Sequence, residues 1–580
     1  MSQAEPLFSG FPAVGHAAWK SRVLEELKGA EYTKIVWKTP DGFSMEPWYN
    51  RSTAIPFPAV PVVRETNRWN ICQQITTADA AKGSDAAVAA VAGGADAIEF
   101  RLADPSLVSA SNLAVLTGKL DISKVQLFFS GAIGDASALL GNLLTIPGFS
   151  SAGGAILNDA SNASLVSIER RPAGFRTLSV NTERFHEAGA TISQELAFSL
   201  AEVSDIVNRA TDSGIDAAKA ASSIEVVFCT GTSHFPELAK LRAFRAMWPQ
   251  LLVAYGVPAA SAPEPKLFVR ASRRSTSVLD PYTNILRLST EAVSAILGGC
   301  DTLQLSSFDP AGSVSTELAD RITRNIHHLL QEESGLDRVV DPAAGSFYID
   351  TLTESLCREA WRIFQEIEAA GGLKLAEANG RVAAMITPAA EARQKAVHDR
   401  KRSLIGINRY TVAPSAEVAA AVKANPQATA EAAPDFERLR LRMIDHASKT
   451  GSTPRVAVWM HGDTTRCLRV SAFAEEFLRT GGFEIMPAQT LPLETKSCRS
   501  ITQEEPDIVV LCWTGDNDLA TLPSILETMQ ELHKETLVVM AAKPPENADT
   551  YIKAGLDRFI HLGSDAYACL LSLQHKTGVL

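Results

Sequence analysis

Three arginines stand close together in RASRRSTS (Arg270–Ser277), just after the apolar run LFVRA. Guanidinium groups among small hydroxyl residues at a strand end are suited to bidentate N–H donation toward phosphate or carboxylate. Arg270, Arg273 and Arg274 are therefore candidates for contact with an anion or a partner, with plain charged surface as the competing reading. HGDTTRCLR (His461–Arg469) follows the first strong strand of the C-terminal region, where ligands sit in doubly wound folds. His461 and Asp463 have the types of a metal pair, but no third ligand stands nearby, and Asp463 or Thr464 equally suits a helix cap. In HFPELAKLRAFRAMW (His234–Trp248), Arg242 and Arg245 share a helix face while Lys240 points elsewhere. That face reads as a phosphate site or as an ordinary salt-bridged surface. GGADAIEF followed by Arg101, the glycines Gly131 and Gly134 after VQLFF, and GDND (Gly515–Asp518) occupy loop positions where sites form, or where turns are needed. No GxSxG, HExxH, Walker A or GxGxxG pattern occurs.

These residues need a scaffold, and the chain between about 60 and 390 supplies an alternating one. DAIEF (Asp96–Phe100), VQLFF (Val125–Phe129), TLSV (Thr177–Val180), IEVVFC (Ile224–Cys229), LFVRA (Leu267–Ala271) and DTLQLSS (Asp301–Ser307) read as buried strands. Ala-, Leu- and Glu-rich helical segments separate them. The α/β repetition fits a (β/α)8 TIM barrel or a large open sheet, and its length favours the barrel. The expected organisation is an N-terminal arm over 1–50, the barrel over 51–400, a linker over 401–450 and a flavodoxin-like domain over 451–580. The linker is rich in Ala and Pro and suggests one short helix. Asp41-Gly42 reads as a turn between short strands, and Thr480–Gly482 as a helix C-cap.

With 580 residues, 46% hydrophobic and 21% charged, the chain has ample material for two large domains. A formal net charge of −11 disfavours nucleic acid and anionic membranes, yet leaves room for a local basic site. The 8 cysteines include no CxxC pair, which fits reduced, buried thiols and a cytoplasmic protein. Neither a secretory signal nor an apolar membrane span is expected.

Several segments resemble the methylmalonyl-CoA mutase family. They are WKTPDGFSMEPWY, FHEAGATISQELAFSLAEVSDIVNRATDSG (Phe185–Gly214), FPELAKLRAFRAMW, DPYTNILRLSTEAVSAILGGCDTLQL (Asp280–Leu305) and the stretch Arg338–Gly372. The resemblance covers about 20–400 and 453–580. It implies a barrel holding acyl-CoA along its axis, a flavodoxin-like domain of the type that holds cobalamin, and radical interconversion of succinyl-CoA and (R)-methylmalonyl-CoA, an isomerase reaction of propionate metabolism in which the cofactor supplies the chemistry.

The departures point the same way as one another. The family's cobalt-ligating Asp-x-His-x-x-Gly is absent, and the corresponding loop contains His461, Asp463, Arg466 and Cys467. The acid–base histidine falls at Arg184, with His186 two residues away, a shift that would keep the same face if the segment were a strand. The substrate-contacting Gln, Trp and Gln become Arg270, Arg274 and Leu279. Residues 56–74 contain no Tyr. Such a set of losses resembles the small, non-catalytic subunit of heterodimeric mutases. It implies no catalytic, cofactor or metal residues on this chain, and adenosylcobalamin and acyl-CoA bound by a large catalytic partner subunit. The arm around Phe8–Trp19 and the Arg270–Arg274 segment are candidate contacts with that partner. Competing readings are an active mutase on another acyl-CoA with a relocated ligand set, and a CoA-binding or chaperone-like protein that protects a mutase.

Overall fold

The computed structural model describes residues 14–55, 57, 64–158, 165–514 and 521–580. Phe8–Ala13 of the arm, positions 56 and 58–63 of the Tyr-free stretch, and the Gly515–Asp518 loop lie outside them. The chain divides into two compact units. One comprises Met1–Ser272, Ser289–Ser306 and Arg324–Ala389; the other comprises Arg273–Leu288, Ser307–Thr323 and Ala390–Leu580.

In the first unit the short strands β1 (Trp37–Lys38) and β2 (Ser44–Met45) pair antiparallel. Gly42 turns between them at φ +90°, a left-handed conformation that side chains disfavour. The main sheet contains β3 (Asn70–Thr77), β4 (Ala97–Leu102), β5 (Gln126–Gly131), β6 (Gly154–Ile156), β7 (Phe175–Arg176), β8 (Leu178–Asn181), β9 (Ile224–Thr230), β10 (Lys266–Ala271) and β11 (Thr302–Gln304). All pair parallel, in the order β7-β6-β5-β4-β3-β11-β10-β9-β8. Only Thr177 separates β7 from β8 in sequence, so the two ends of this path meet and the sheet curls into a TIM-type barrel. Outward side chains such as Ile98, Phe100, Leu127 and Phe129 pack with Leu113, Leu116, Leu139 and Leu140 of the surrounding helices. The helix Ile192–Asp212 starts on a capping box, Thr191 with Gln194, which satisfies two N–H groups otherwise left open.

Three strands have no apolar run that marks them in the sequence. β3 carries Asn70, Gln74 and Thr76 on alternate positions, and β6 and β7 are only three and two residues long.

Trp69 precedes β3 and donates its Nε1–H to Nδ1 of His327 at 3.1 Å; both side chains are buried. Burial, with His328 adding a like charge, depresses His327 to about 3. The folded imidazole thus stays neutral while the unfolded one titrates near 6.5. Its contribution to stability is complete above the unfolded value and is lost as pH falls toward the folded one.

The second unit contains a parallel sheet of β12 (Arg455–His461), β13 (Glu484–Ile485), β14 (Gln489–Thr490), β15 (Ile508–Trp513), β16 (Leu537–Met540) and β17 (Arg558–Phe559). Its order is β13-β12-β15-β16-β17, with β14 also on β12. This is the 2-1-3-4-5 arrangement of flavodoxin-like domains. The helix Thr464–Thr480 ends at Gly481, and Gly482 follows at φ +86°. Where the sequence suggested one short helix in the linker, three form: Ala416–Ala424, Pro426–Ala432 and Asp435–Thr450. Val418 and Val422 of the first helix, and Ala433 after the second, cluster with Val278, Leu279 and Ala311, partners distant in sequence that composition does not disclose. Among the described residues, no helix is long and apolar enough to cross a membrane.

Candidate functional site

Side chains two apart on a strand share a face, so the barrel interior builds up in layers. The middle layer is apolar and includes Cys72, Ala97, Phe128, Ala155, Val227 and Phe268. Phe128 and Phe268 meet edge to face with centroids 4.8 Å apart. Two residues further along β3, β4, β5 and β10 stand Gln74, Glu99, Ser130 and Arg270. The Arg270 guanidinium grips Glu99 with both terminal nitrogens, Nη2 to Oε1 at 2.7 Å and Nη1 to Oε2 at 2.9 Å. Ser130 Oγ donates to Glu99 Oε1 at 2.5 Å, and Gln74 Nε2 to Oε2 at 3.0 Å. Arg270 also reaches Gln304 Oε1 at 3.3 Å. Burial by itself would lower the Arg270 pKa and raise that of Glu99. Their mutual charge and hydrogen bonds outweigh it, so Arg270 is raised and Glu99 lowered. The pair stays ionised and enclosed, with both Glu99 oxygens hydrogen-bonded and Arg270 Nε 3.6 Å from Glu183 Oε2.

Two residues toward the strand starts, Asn70, Gln126, Glu225 and Lys266 line a cavity of about 680 Å³ that reaches Phe128. Asp301, also on its wall, is held below the usual carboxylate range: burial opposes ionisation, but Arg245, Arg64 and Lys266 outweigh it. Among the described residues Glu225 has one ion-pair partner, Arg176 at 3.4 Å, and burial pushes it up to about 7. Its sign is opposite to that of His327. The Glu225 contribution is complete below its unfolded value near 4.5 and is lost as pH rises through about 7. Between pH 4.5 and 6.5 the two slopes, each about 1.4 kcal/mol per pH unit, oppose one another. Urea unfolding should therefore show a Glu225→Gln chain losing stability more steeply than wild type on acidification through this window. Identical slopes would refute the assignment of Glu225.

At the other end of the strands, His186 is fully buried. It lies in the short helix Glu183–Ala188 rather than on a strand, so the two-residue shift from Arg184 does not keep one face. Nδ1 of His186 is 2.7 Å from Glu195 Oε1 and Nε2 is 2.8 Å from Ser272 Oγ. Glu195 in turn accepts from Lys240, which also pairs with Glu237 at 2.7 Å. Arg184 turns to Glu377 at 2.7 Å and Glu202 at 3.3 Å. The basic helix is likewise taken up internally: Arg242 binds Asp341 and Asp350, and Arg245 binds Asp301. Those pairs leave the expected solvated or phosphate-binding face unfilled by any free cation of this trio.

Within the second unit, Leu279 is buried in the cluster with Val418 and Val422, and its N–H points to the buried carboxylate of Glu437. Arg273 is exposed and Arg274 half-buried. Asp463 caps the helix Thr464–Thr480 by accepting from Arg466 N at 2.9 Å. Cys467 is buried one turn in and donates to the His461 carbonyl at 3.0 Å. Nδ1 of His461 lies 3.2 Å from the Leu491 carbonyl, and its ring meets Trp513 edge on. All eight cysteines are unpaired, six of them buried.

The sequence model of the family described as Methylmalonyl-CoA mutase matches residues 165–450. Across the whole chain, 29% of residues are identical to the methylmalonyl-CoA mutase small subunit of Porphyromonas gingivalis, covering 99% of that protein. The small subunit from Streptomyces virginiae is 27% identical over 99% of this chain and 98% of its own length. Over its whole length the chain is similar to the methylmalonyl-CoA mutase family. A methylmalonyl-CoA mutase of Rhizobium meliloti is 38% identical, but over only 41% of this chain and 33% of its own length. The high-identity match to that protein is thus partial, whereas the match to the small subunits runs end to end.

Similarity to mutases brings cobalamin into question, and the loop after β12 does not fit it. A ligating histidine needs an unencumbered ring nitrogen and a supporting carboxylate. Here Asp463 is committed to the helix cap, and Cys467 and Arg466 occupy the first helical turn. Trp459 and Trp513 are buried in the core beside this loop, with Leu511, Leu522 and Ile525. Sequence reasoning missed Glu99 as the partner of Arg270, although an acid within the otherwise apolar AIEF run was a visible signal.

Proposed function

We propose that this chain is the non-catalytic small subunit of an adenosylcobalamin-dependent methylmalonyl-CoA mutase. It supports a large catalytic subunit, which binds both the cofactor and the acyl-CoA and interconverts succinyl-CoA and (R)-methylmalonyl-CoA. The observation that carries this reading is the filled barrel axis. The family's acyl-CoA runs along that axis, and here Phe128 with Phe268 and the Arg270–Glu99 pair occupy it. Opening the channel would require separating a buried, bidentate ion pair. The loop chemistry around His461 and Asp463 supports the same reading for cobalamin. The end-to-end likeness to proteins named small subunits supports the partnership. Association then stabilises both chains by mass action.

Native mass spectrometry of the complex from its own cells tests this. The expected result is a pair of this chain with one larger mutase chain, and one cobalamin that stays with the larger chain on dissociation. Cobalamin retained by this chain would overturn the proposal.

A further inference from the structure

The chain segment after residue 411 and its helices leave a cavity of about 520 Å³ beside β13, the edge strand of the C-terminal sheet. This volume falls within the roughly 300–1,000 Å³ typical of small-ligand pockets. Pro414, Ala419, Met443, Ile444, Phe483 and Ile485 form its apolar wall. Gly482 keeps part of that wall thin, since a Cβ there would stand 3.0 Å from Cβ of Met443. The polar lining is one-sided in charge. Lys423, Arg440 and Arg479 face a single carboxylate, Glu484. Arg440 is buried and donates to the carbonyls of Gly406 and Val412, so it forms part of the wall. Lys423 and Arg479 are exposed at the rim. Lys423 has no carboxylate within ion-pair distance among the described residues, and Arg479 has only Glu475, at 3.8 Å.

A net-positive apolar pocket on a chain of formal charge −11 runs against the field of the whole molecule. We propose that this cavity is a binding site for an amphiphilic monoanion, an aliphatic carboxylate of medium chain length. The chain lies against Met443, Ile444 and Phe483, where its burial supplies the affinity. The carboxylate sits at the rim and accepts from Lys423 and Arg479, which give the site its charge preference.

Isothermal titration calorimetry of the full chain with sodium octanoate, 1-octanol and octylammonium chloride tests both halves of the proposal. Octanoate is expected to bind about tenfold or more tightly than either of the other two. The pair of substitutions Lys423→Glu and Arg479→Glu, both on exposed side chains, should remove that preference while leaving the circular-dichroism melt unchanged. Ala419→Trp, which fills the cavity, should abolish octanoate binding even with both cations in place. Absence of octanoate binding, equal affinity for octanol or octylammonium, or unchanged binding by the Glu pair would each overturn the proposal.

Discussion

An Arg270→Met chain should be less stable than wild type by about 3–5 kcal/mol, the penalty for stranding one member of a buried ion pair. Glu99 is completely buried, and Arg270 supplies two of its four short contacts. Without the guanidinium, Ser130 and Gln74 must carry a full negative charge in a closed barrel. The fold then either accepts that cost or protonates Glu99. Urea unfolding at pH 7 measures the loss. Adding Glu99→Gln to Arg270→Met removes the stranded charge and should recover most of it, as a double-mutant cycle would show. The acid response has a definite sign. Glu99 is depressed in the folded wild type, so its stabilisation is present above the ordinary carboxylate value and is lost as pH falls. The Arg270→Met deficit should therefore shrink on acidification. A loss below about 1 kcal/mol would instead resemble a solvated pair. It would mean that water reaches the barrel axis, and the case for a filled channel would fail with it.

Lys240→Met should cost a similar amount, about 3–5 kcal/mol, for a related reason. The Lys240 ammonium is completely enclosed and bridges Glu195 at 2.8 Å and Glu237 at 2.7 Å, with the Cys229 carbonyl as a third acceptor at 2.5 Å. Burial disfavours its charge, but the two carboxylates outweigh that and raise its pKa. Burial likewise disfavours Glu195, and Lys240 followed by His186 pulls it well below the usual carboxylate range. Removing the cation takes from Glu195 and Glu237 their shared counter-charge and leaves His186 on the other oxygen of Glu195. Because Lys240 holds Glu195 through one oxygen and His186 holds it through the other, the substitution should also change the His186 ring. Histidine resonances in the NMR spectrum give a readout beyond stability. Unchanged imidazole shifts in a chain that still folds would break the claimed connection.

Local physics made much of the scaffold legible. Apolar runs located six of the nine barrel segments, and the alternation of strands with helices favoured a barrel. Asp41-Gly42 marked a hairpin, Thr480–Gly482 a helix end, and Asp463 a cap, because each of these depends on a few neighbouring dihedrals and one short-range hydrogen bond. The resemblance carried by segments such as Phe185–Gly214 agrees with the family match over 165–450.

Pairings across the barrel were not legible. Arg270 and Glu99 are 171 positions apart, and sequence spacing alone offered Arg270 as an exposed anion contact equal to Arg273. The closure of the sheet decides that Arg270 faces the axis, whereas Arg273 is exposed. His186 was placed by a helix where a strand was considered, so a shift of two residues changed its face. Leu279, read as a lost polar contact, belongs to an apolar cluster with Val418 and Val422 of the linker. The titrating extremes, His327 near 3 and Glu225 near 7, arise from burial. Residue type and spacing determine what a side chain can do; its partner and its access to water depend on which distant segments the fold brings beside it.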